Sequence, residues 1–257
     1  MQITLGVTLA AIVAAFAYRA RALSAGGAAA GFAVGTVVFA RGGWAAAAVL
    51  FAFFLPSSAL SRIGVQRKRA IGDPNAHRAR GEWQVLANGG VAALCILIQP
   101  RGGTAFAAGF AGAFAAAAAD TWGTEIGTLS RGPTVSILTL QPLPAGLSGG
   151  VTALGLAATV AGALAVAVVA SCAGVASVRS VATAGIAGAL LDSVLGASLQ
   201  ARRWCPKCAC ECETRRHTCG VATLLRRGAS WLENDGVNFA ATLCGATVAG
   251  VITSLSA

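Results

Sequence analysis

Ala119-Asp120-Thr121-Trp122-Gly123-Thr124-Glu125-Ile126-Gly127 follows directly on a long apolar run, Ala105 to Ala119. A carboxylate at lipid depth costs about 2.5–3.5 kcal/mol on insertion scales, so acids in such a place imply function. On a helix, with Asp120 at the origin, Thr124 falls at about 40°, Thr128 at about 80°, Thr121 at about 100° and Glu125 at about 140°. Trp122, Ile126 and Leu129 lie on the other side, with Gly123 and Gly127 between them. A helix end that merely meets water need not segregate its side chains in this way. The stretch therefore reads as one polar face on a membrane helix.

The composition around it agrees. The chain of 257 residues is 56% hydrophobic and 11% charged, with a mean hydropathy of +0.72. A soluble domain carries about a quarter charged residues. Alanine and glycine dominate, which suits close helix packing in lipid, where backbones approach at small residues. Apolar runs of near-spanning length occur at about 3–18, 25–40, 44–60, 84–99, 103–119, 149–177, 181–200 and 236–255. A span takes about 20 residues. These runs predict an all-α, polytopic helix bundle of about eight transmembrane helices, residues 1–257 forming one integral membrane domain. The first run has no basic segment before it, and Arg19 and Arg21 follow it. That pattern predicts a retained helix with its N-terminus outside rather than a cleaved signal.

With eight spans, the loops after odd-numbered runs face the cytoplasm. They hold all of the 19 basic residues except Arg41, Arg101 and Arg179. The positive-inside rule requires such a bias, so topology accounts for the net charge of +10 and no nucleic-acid partner is needed. Two of these loops are large: 61–83, with a turn signal at Asp73-Pro74-Asn75, and 201–234, a Cys-rich cytoplasmic insertion. Residues 130–150 end in Pro144-Ala-Gly-Leu-Ser-Gly149-Gly150 before the sixth run. Glycines before a helix start can offer backbone N–H groups to an anion.

Three further helices carry polar faces. Gln84 and Asn88 are four apart near the start of the fourth run. Asp192, Ser193, Gly196 and Gln200 share about 100° of arc on the seventh. Asn234, Asp235, Asn238 and Thr242 do the same on the eighth. All four faces fall at the cytoplasmic side, which predicts a shared cavity. Nearby membrane-embedded positions offer these acids no Lys or Arg, so a divalent cation is the expected neutraliser. Mg²⁺ takes oxygen ligands and bridges to phosphates, and the basic loops suit phosphate oxygens. A cation or proton pathway could use the same acids. There is no P-loop, since the only lysines, Lys68 and Lys207, stand outside that motif. With His77 and His217 the only histidines, no H-E-x-x-H motif or Ser-His triad can form within the membrane. Phosphoryl transfer needs neither.

Several blocks resemble the DUF92 family of integral membrane proteins, which includes transmembrane protein 19 and a plastid phytyl-phosphate kinase. They are Arg80-Gly-Glu-Trp-Gln84-Val-Leu-Ala-Asn88-Gly, Asp120-Thr-Trp-Gly-Thr-Glu125-Ile-Gly, Leu191-Asp192-Ser-Val-Leu-Gly196-Ala-Ser-Leu-Gln200 and Asn234-Asp235-Gly-Val-Asn238-Phe. Pro144-Ala-Gly-Leu-Ser-Gly-Gly departs from the Pro-Gly-Thr-Ser-Gly-Gly form expected there. The resemblance implies phosphoryl transfer from a nucleoside triphosphate, CTP or ATP, to an isoprenyl monophosphate in the bilayer. Asp120, Glu125, Asp192 and Asp235 would hold Mg²⁺ and carry catalysis. Lys68, Arg80, Gln84, Asn88, Thr121, Thr124, Gly149, Gly150, Ser193, Gln200, Asn234 and Asn238 would contact substrate and nucleotide. The rival use of the same acids is a cation- or proton-coupled transporter.

The insertion has its own chemistry. Cys205-Pro-Lys-Cys208 is followed by Cys210, Cys212, His217 and Cys219. A C-x-x-C knuckle with a later His-x-Cys supplies four ligands for a structural Zn²⁺. The preferred set is Cys205, Cys208, His217 and Cys219, with Cys210 and Cys212 as alternates. Cys95, Cys172 and Cys244 are expected to be small apolar fillers.

Overall fold

A computed structural model describes residues 2–70, 79–100 and 102–256. The turn expected at Asp73–Asn75 lies outside them. Each of the eight apolar runs is helical: α1 Gln2–Arg19, α2 Ala25–Leu60, α4 Glu82–Ile98, α5 Thr104–Gly127, α6 Ala153–Cys172, α7 Val178–Ser198 and α8 Asn234–Leu255. A short helix, α3 Val65–Ala70, follows α2. Two runs share α2, whose geometry breaks at Gly43 (φ 60°, ψ −150°). A continuous helix of that length would hold its ends about 54 Å apart. Yet Ser24 N donates to Arg80 O at 3.0 Å, and the Arg80 guanidinium donates to Ser57 O at 3.2 Å. One residue thus touches both ends, so α2 folds back at Gly43 into two antiparallel arms. A positive φ is cheap only for glycine.

The centre of the bundle is α5. Residues 108–119 of this helix are all buried, and α2, α4, α6, α7 and α8 pack around it. Five neighbours fit because small residues meet backbone to backbone. A Cβ on Gly112 would stand 2.4 Å from Gly245 O, one on Gly188 would stand 2.5 Å from Ala116 Cβ, and one on Gly162 would stand 2.9 Å from Ala118 O. Phe53 stacks on Phe114, and Phe110 meets Phe114 edge-on, within this core. Large apolar side chains such as Phe16, Leu94, Leu164, Val168 and Leu243 point outward. That outward-facing apolar surface is what lipid requires.

Four helices, α2, α6, α7 and α8, are long and apolar enough to cross a membrane. Eight spans are therefore not established by length and composition, although eight helical segments are present. The all-α expectation also needs correction, because five short strands occur among the described residues. In the loop between α5 and α6, β1 Val135–Ser136 pairs with β2 Gly150–Val151. The sixth run is consequently shorter than its apolar stretch, since its first residues belong to this loop. In the insertion, β3 Arg202–Cys205 is the middle strand between β4 Cys210–Cys212 and β5 Leu224–Arg227. The loop and insertion had too few alternating apolar residues to signal strands.

Candidate functional site

The start of α4, the end of α5, the end of α7 and the start of α8 come together at one end of the bundle. They enclose a cavity of about 1240 Å³. Gln84 and Asn88 enter from α4; Asp120, Thr121, Thr124 and Glu125 from α5; Asp192 and Ser193 from α7; and Asn234, Asp235 and Asn238 from α8. Lys68, Arg80, Gly149 and Gly150 line it from the loops and α3. Of the polar residues singled out in the sequence, Gln200 and Thr242 do not line the cavity; Thr242 Oγ1 instead donates to Ala87 O at 2.9 Å. Helical periodicity placed these side chains because each face is read within one helix. Alternating helix direction then brings the faces to one level.

The deepest acids are Asp120 and Asp192, whose carboxyls lie within hydrogen-bonding reach of each other across α5 and α7. Asp192 Oδ2 is buried without a hydrogen-bond partner among the described residues. Two adjoining carboxylates repel unless a proton or a cation lies between them. An orphaned oxygen beside a second carboxylate is the donor set a hard divalent cation takes. Asp235, in the first turn of α8, lines the same space. All three carboxyls line one cavity and offer oxygen donors of the kind Mg²⁺ takes, but among the described residues they do not form a closed ligand cluster.

Glu125 is different, and here the expectation that no cation reaches the acids is wrong. Its Oε2 forms an ion pair with Lys68 Nζ, and its Oε1 accepts from Ser61 Oγ at 2.6 Å. Lys68 is 2% exposed and also donates to Leu60 O at 3.3 Å. The Arg80 guanidinium donates to Ser61 Oγ at 3.3 Å. Lys68 therefore neutralises Glu125 rather than standing in a solvated loop. The sequence placed Lys68 outside the membrane because the loop after α2 is basic; α3 folds it back onto the bundle. Ser57 and Ser61, four apart at the end of α2, carry the same i, i+4 polar signal as Gln84 and Asn88.

The glycine loop 145–150 packs on α7. Gly149 has φ +81°, and a Cβ on it would stand 2.4 Å from Ala197 N. Its neighbouring amides are not open to a ligand as expected. Gly150 N donates to Leu147 O at 3.1 Å, and Ser148 N donates to Glu213 Oε1 at 2.7 Å. Glu213, from the insertion, also accepts from Ser148 Oγ at 2.8 Å and from Gln200 Nε2 at 3.2 Å. Gln200 thus braces the loop instead of reaching substrate. Nothing in the sequence marked Glu213, because its main partner, Ser148, lies in a loop 65 residues earlier.

A second cavity, of about 140 Å³, is apolar and lies between α1, both arms of α2 and α4. Ala14, Val34, Val38 and Phe53 line it, and Arg80, Gln84 and Asn88 line both it and the polar cavity. Polar and apolar spaces thus meet at three side chains.

In the insertion, Cys205, Cys208, His217 and Cys219 each bring a ligand atom within 4.8 Å of the others. Cys205 Sγ and Cys219 Sγ are 3.6 Å apart. Tetrahedral Zn²⁺ with bonds of about 2.3 Å to sulfur needs such spacing. The His217 hydrogen bond pulls the Cys219 thiol down to about 6, while the bond to Cys219 pushes Cys208 up to about 11. Cys210 Sγ stands 3.7 Å from His217 Nε2, beside the cluster. Of the lone cysteines, Cys172 is exposed at the end of α6, so it fills no core space.

A helical integral membrane protein whose helix ends enclose an acid-lined cavity is the class that this fold and site define. The chain belongs to the integral membrane protein DUF92 family, whose pattern matches residues 8–246. It is similar to Protein PGR of Arabidopsis thaliana, 30% identical over 94% of this chain and 93% of that one. It is also similar to an uncharacterised membrane protein of Synechocystis, 30% identical over 84% and 77% of the two chains. The chloroplastic Protein VTE6 of Arabidopsis thaliana is 28% identical over 88% of this chain and 64% of its own length. No solved structure matches.

Proposed function

We propose that the chain is a membrane-embedded kinase that moves a phosphoryl group from a nucleoside triphosphate to an isoprenyl monophosphate. The observation that carries this reading is the meeting of the two cavities at Arg80, Gln84 and Asn88. An ion pathway needs a polar route alone, whereas an amphiphile with an anionic head needs polar and apolar spaces side by side. A phosphate oxygen of the monophosphate attacks the γ-phosphorus. The bond to the β-phosphate oxygen breaks, and the nucleoside diphosphate leaves with that electron pair. Such a reaction needs positioning and charge neutralisation more than covalent catalysis.

In this reading Asp120, Asp192 and Asp235 would hold Mg²⁺, which would supply charge neutralisation to the transferring phosphoryl group. Glu125 keeps Lys68 and Arg80 in place at the head of the apolar slot. Thr121, Thr124, Ser193, Asn234 and Asn238 orient phosphates or nucleotide, with CTP and ATP both candidates as donor. All eight helical segments cross the bilayer, and the basic loops and the insertion face the cytoplasm.

The test is direct. Protein in detergent, supplied with Mg²⁺, CTP or ATP, and phytyl or geranylgeranyl phosphate, is expected to release the prenyl diphosphate. Acid-dependent ion flux in liposomes with no diphosphate product would instead establish the transporter.

The insertion is proposed to bind one structural Zn²⁺ through Cys205, Cys208, His217 and Cys219. Elemental analysis of protein purified without chelator should find about one zinc per chain. Changing Cys205 and Cys208 to Ser should remove it. Metal-free protein with both thiols readily alkylated would retire the site.

A further inference from the structure

The insertion touches the cavity at two places, and both contacts are charged. Glu213 accepts two hydrogen bonds from Ser148 and one from Gln200, while the Arg202 guanidinium donates to Ser148 O at 3.2 Å. Elsewhere, Glu233 precedes α8 at the N-cap position without a side-chain cap bond, and pairs with Arg215 and with Arg203, the latter at 3.7 Å. Glu213 and Arg215 lie on the short segment between Cys212 and His217, so their positions depend on the fold of the cluster. Ser148 lies between Leu147 and Gly149 on the wall of the polar cavity, and Asn234 and Asp235 open α8.

We propose that Glu213 is a positioning residue: it latches the glycine loop 145–150 to the insertion, so that metal binding there sets one wall of the polar cavity. A short four-ligand insertion has little apolar core of its own and takes its folding free energy from the metal. Without the ion, the 213–217 segment loses the geometry that presents Glu213. The loop then keeps only its weaker contacts, since hydrogen bonds to a charged acceptor are roughly twice as strong as neutral ones. Gly149, with its left-handed backbone and close approach to Ala197, cannot be shifted by small adjustments. The loop is either seated on α7 or released from it.

The latch stands apart from the identity of the reaction; only its effect on phosphate binding rests on the proposed function. Hydrogen exchange of the full chain in detergent reads the latch without any turnover. In Glu213→Ala the Ser148 amide should exchange about tenfold faster or more, the change expected on losing a hydrogen bond to a charged group. Amides of α5 should be unchanged. A zinc-selective chelator, with Mg²⁺ in excess, should produce the same acceleration in the parent and none beyond it at Ser148 in Glu213→Ala, because the two losses share one contact. Glu213→Gln, which keeps an acceptor oxygen, should recover part of the protection.

Binding of Mg²⁺ with inorganic pyrophosphate, followed by calorimetry, should weaken about tenfold in Glu213→Ala. Unchanged Ser148 exchange in that variant, with zinc still bound, overturns the latch. Tighter pyrophosphate binding also overturns it, since it would make Glu213 an internal stand-in for phosphate that ligand must displace. Loss of prenyl-phosphate kinase activity as a proposal would leave the exchange result untouched.

Discussion

Replacing Asp192 with Asn is expected to lower prenyl-phosphate turnover by roughly a thousandfold, the several kcal/mol that a bound cation supplies to a phosphoryl transition state. Asp192 Oδ2 is buried without a hydrogen-bond partner among the described residues, and its carboxyl adjoins that of Asp120. Asp120→Asn should cost a similar factor, and the double variant little more, because residues acting as one unit are not additive. Stability should move the other way. Without Mg²⁺, two adjoining buried carboxylates repel, so neutralising one should leave the metal-free protein at least as heat-stable as the parent. Calorimetry with Mg²⁺ alone provides a check independent of turnover. Near-normal activity in Asp192→Asn, together with a lower melting temperature, would make the residue a packing element and remove the centre of the site.

The second large effect concerns stability. Lys68→Met should destabilise the fold by about 3–5 kcal/mol, since it leaves the partly buried Glu125 charge, 21% exposed, without its lysine partner. For a chain of this size that corresponds to a fall in melting temperature of roughly 6–20 °C. Glu125→Gln should be costly for the mirror-image reason, because Lys68 is then left charged at 2% exposure. Lys68→Met combined with Glu125→Gln should recover most of the loss, as removing both charges of a buried pair is often close to neutral. Thermal unfolding of the four proteins in one detergent completes the cycle. Equal melting temperatures for the parent and Lys68→Met would show that the pair contributes nothing, and would return Lys68 to the solvated loop expected from its sequence.

What the sequence determined by itself follows from periodicity and composition. The eight helical segments, the polar arcs at Asp120–Glu125, Gln84–Asn88, Asp192–Ser193 and Asn234–Asn238, and the four-residue cluster of Cys205, Cys208, His217 and Cys219 are all local patterns. Side chains three or four apart on a helix share a face whatever the rest of the chain does. A C-x-x-C knuckle likewise fixes its two sulfurs near each other. The family blocks are local in the same sense, which explains why the resemblance was visible before the fold.

The tertiary structure decided the pairings between distant segments. That Lys68 folds back through α3 onto Glu125, fifty-seven residues away, depends on how α2 reverses at Gly43 and where it ends. That Glu213 seats on Ser148 depends on the three-stranded insertion meeting the loop between α5 and α6. The apolar slot beside Arg80 exists only because α1, two arms of α2 and α4 fail to close completely against one another. Charge partners and cavities are set by which surfaces meet, and a helix with several small faces can meet its neighbours in more than one way. Only the packed bundle around α5 selects among them.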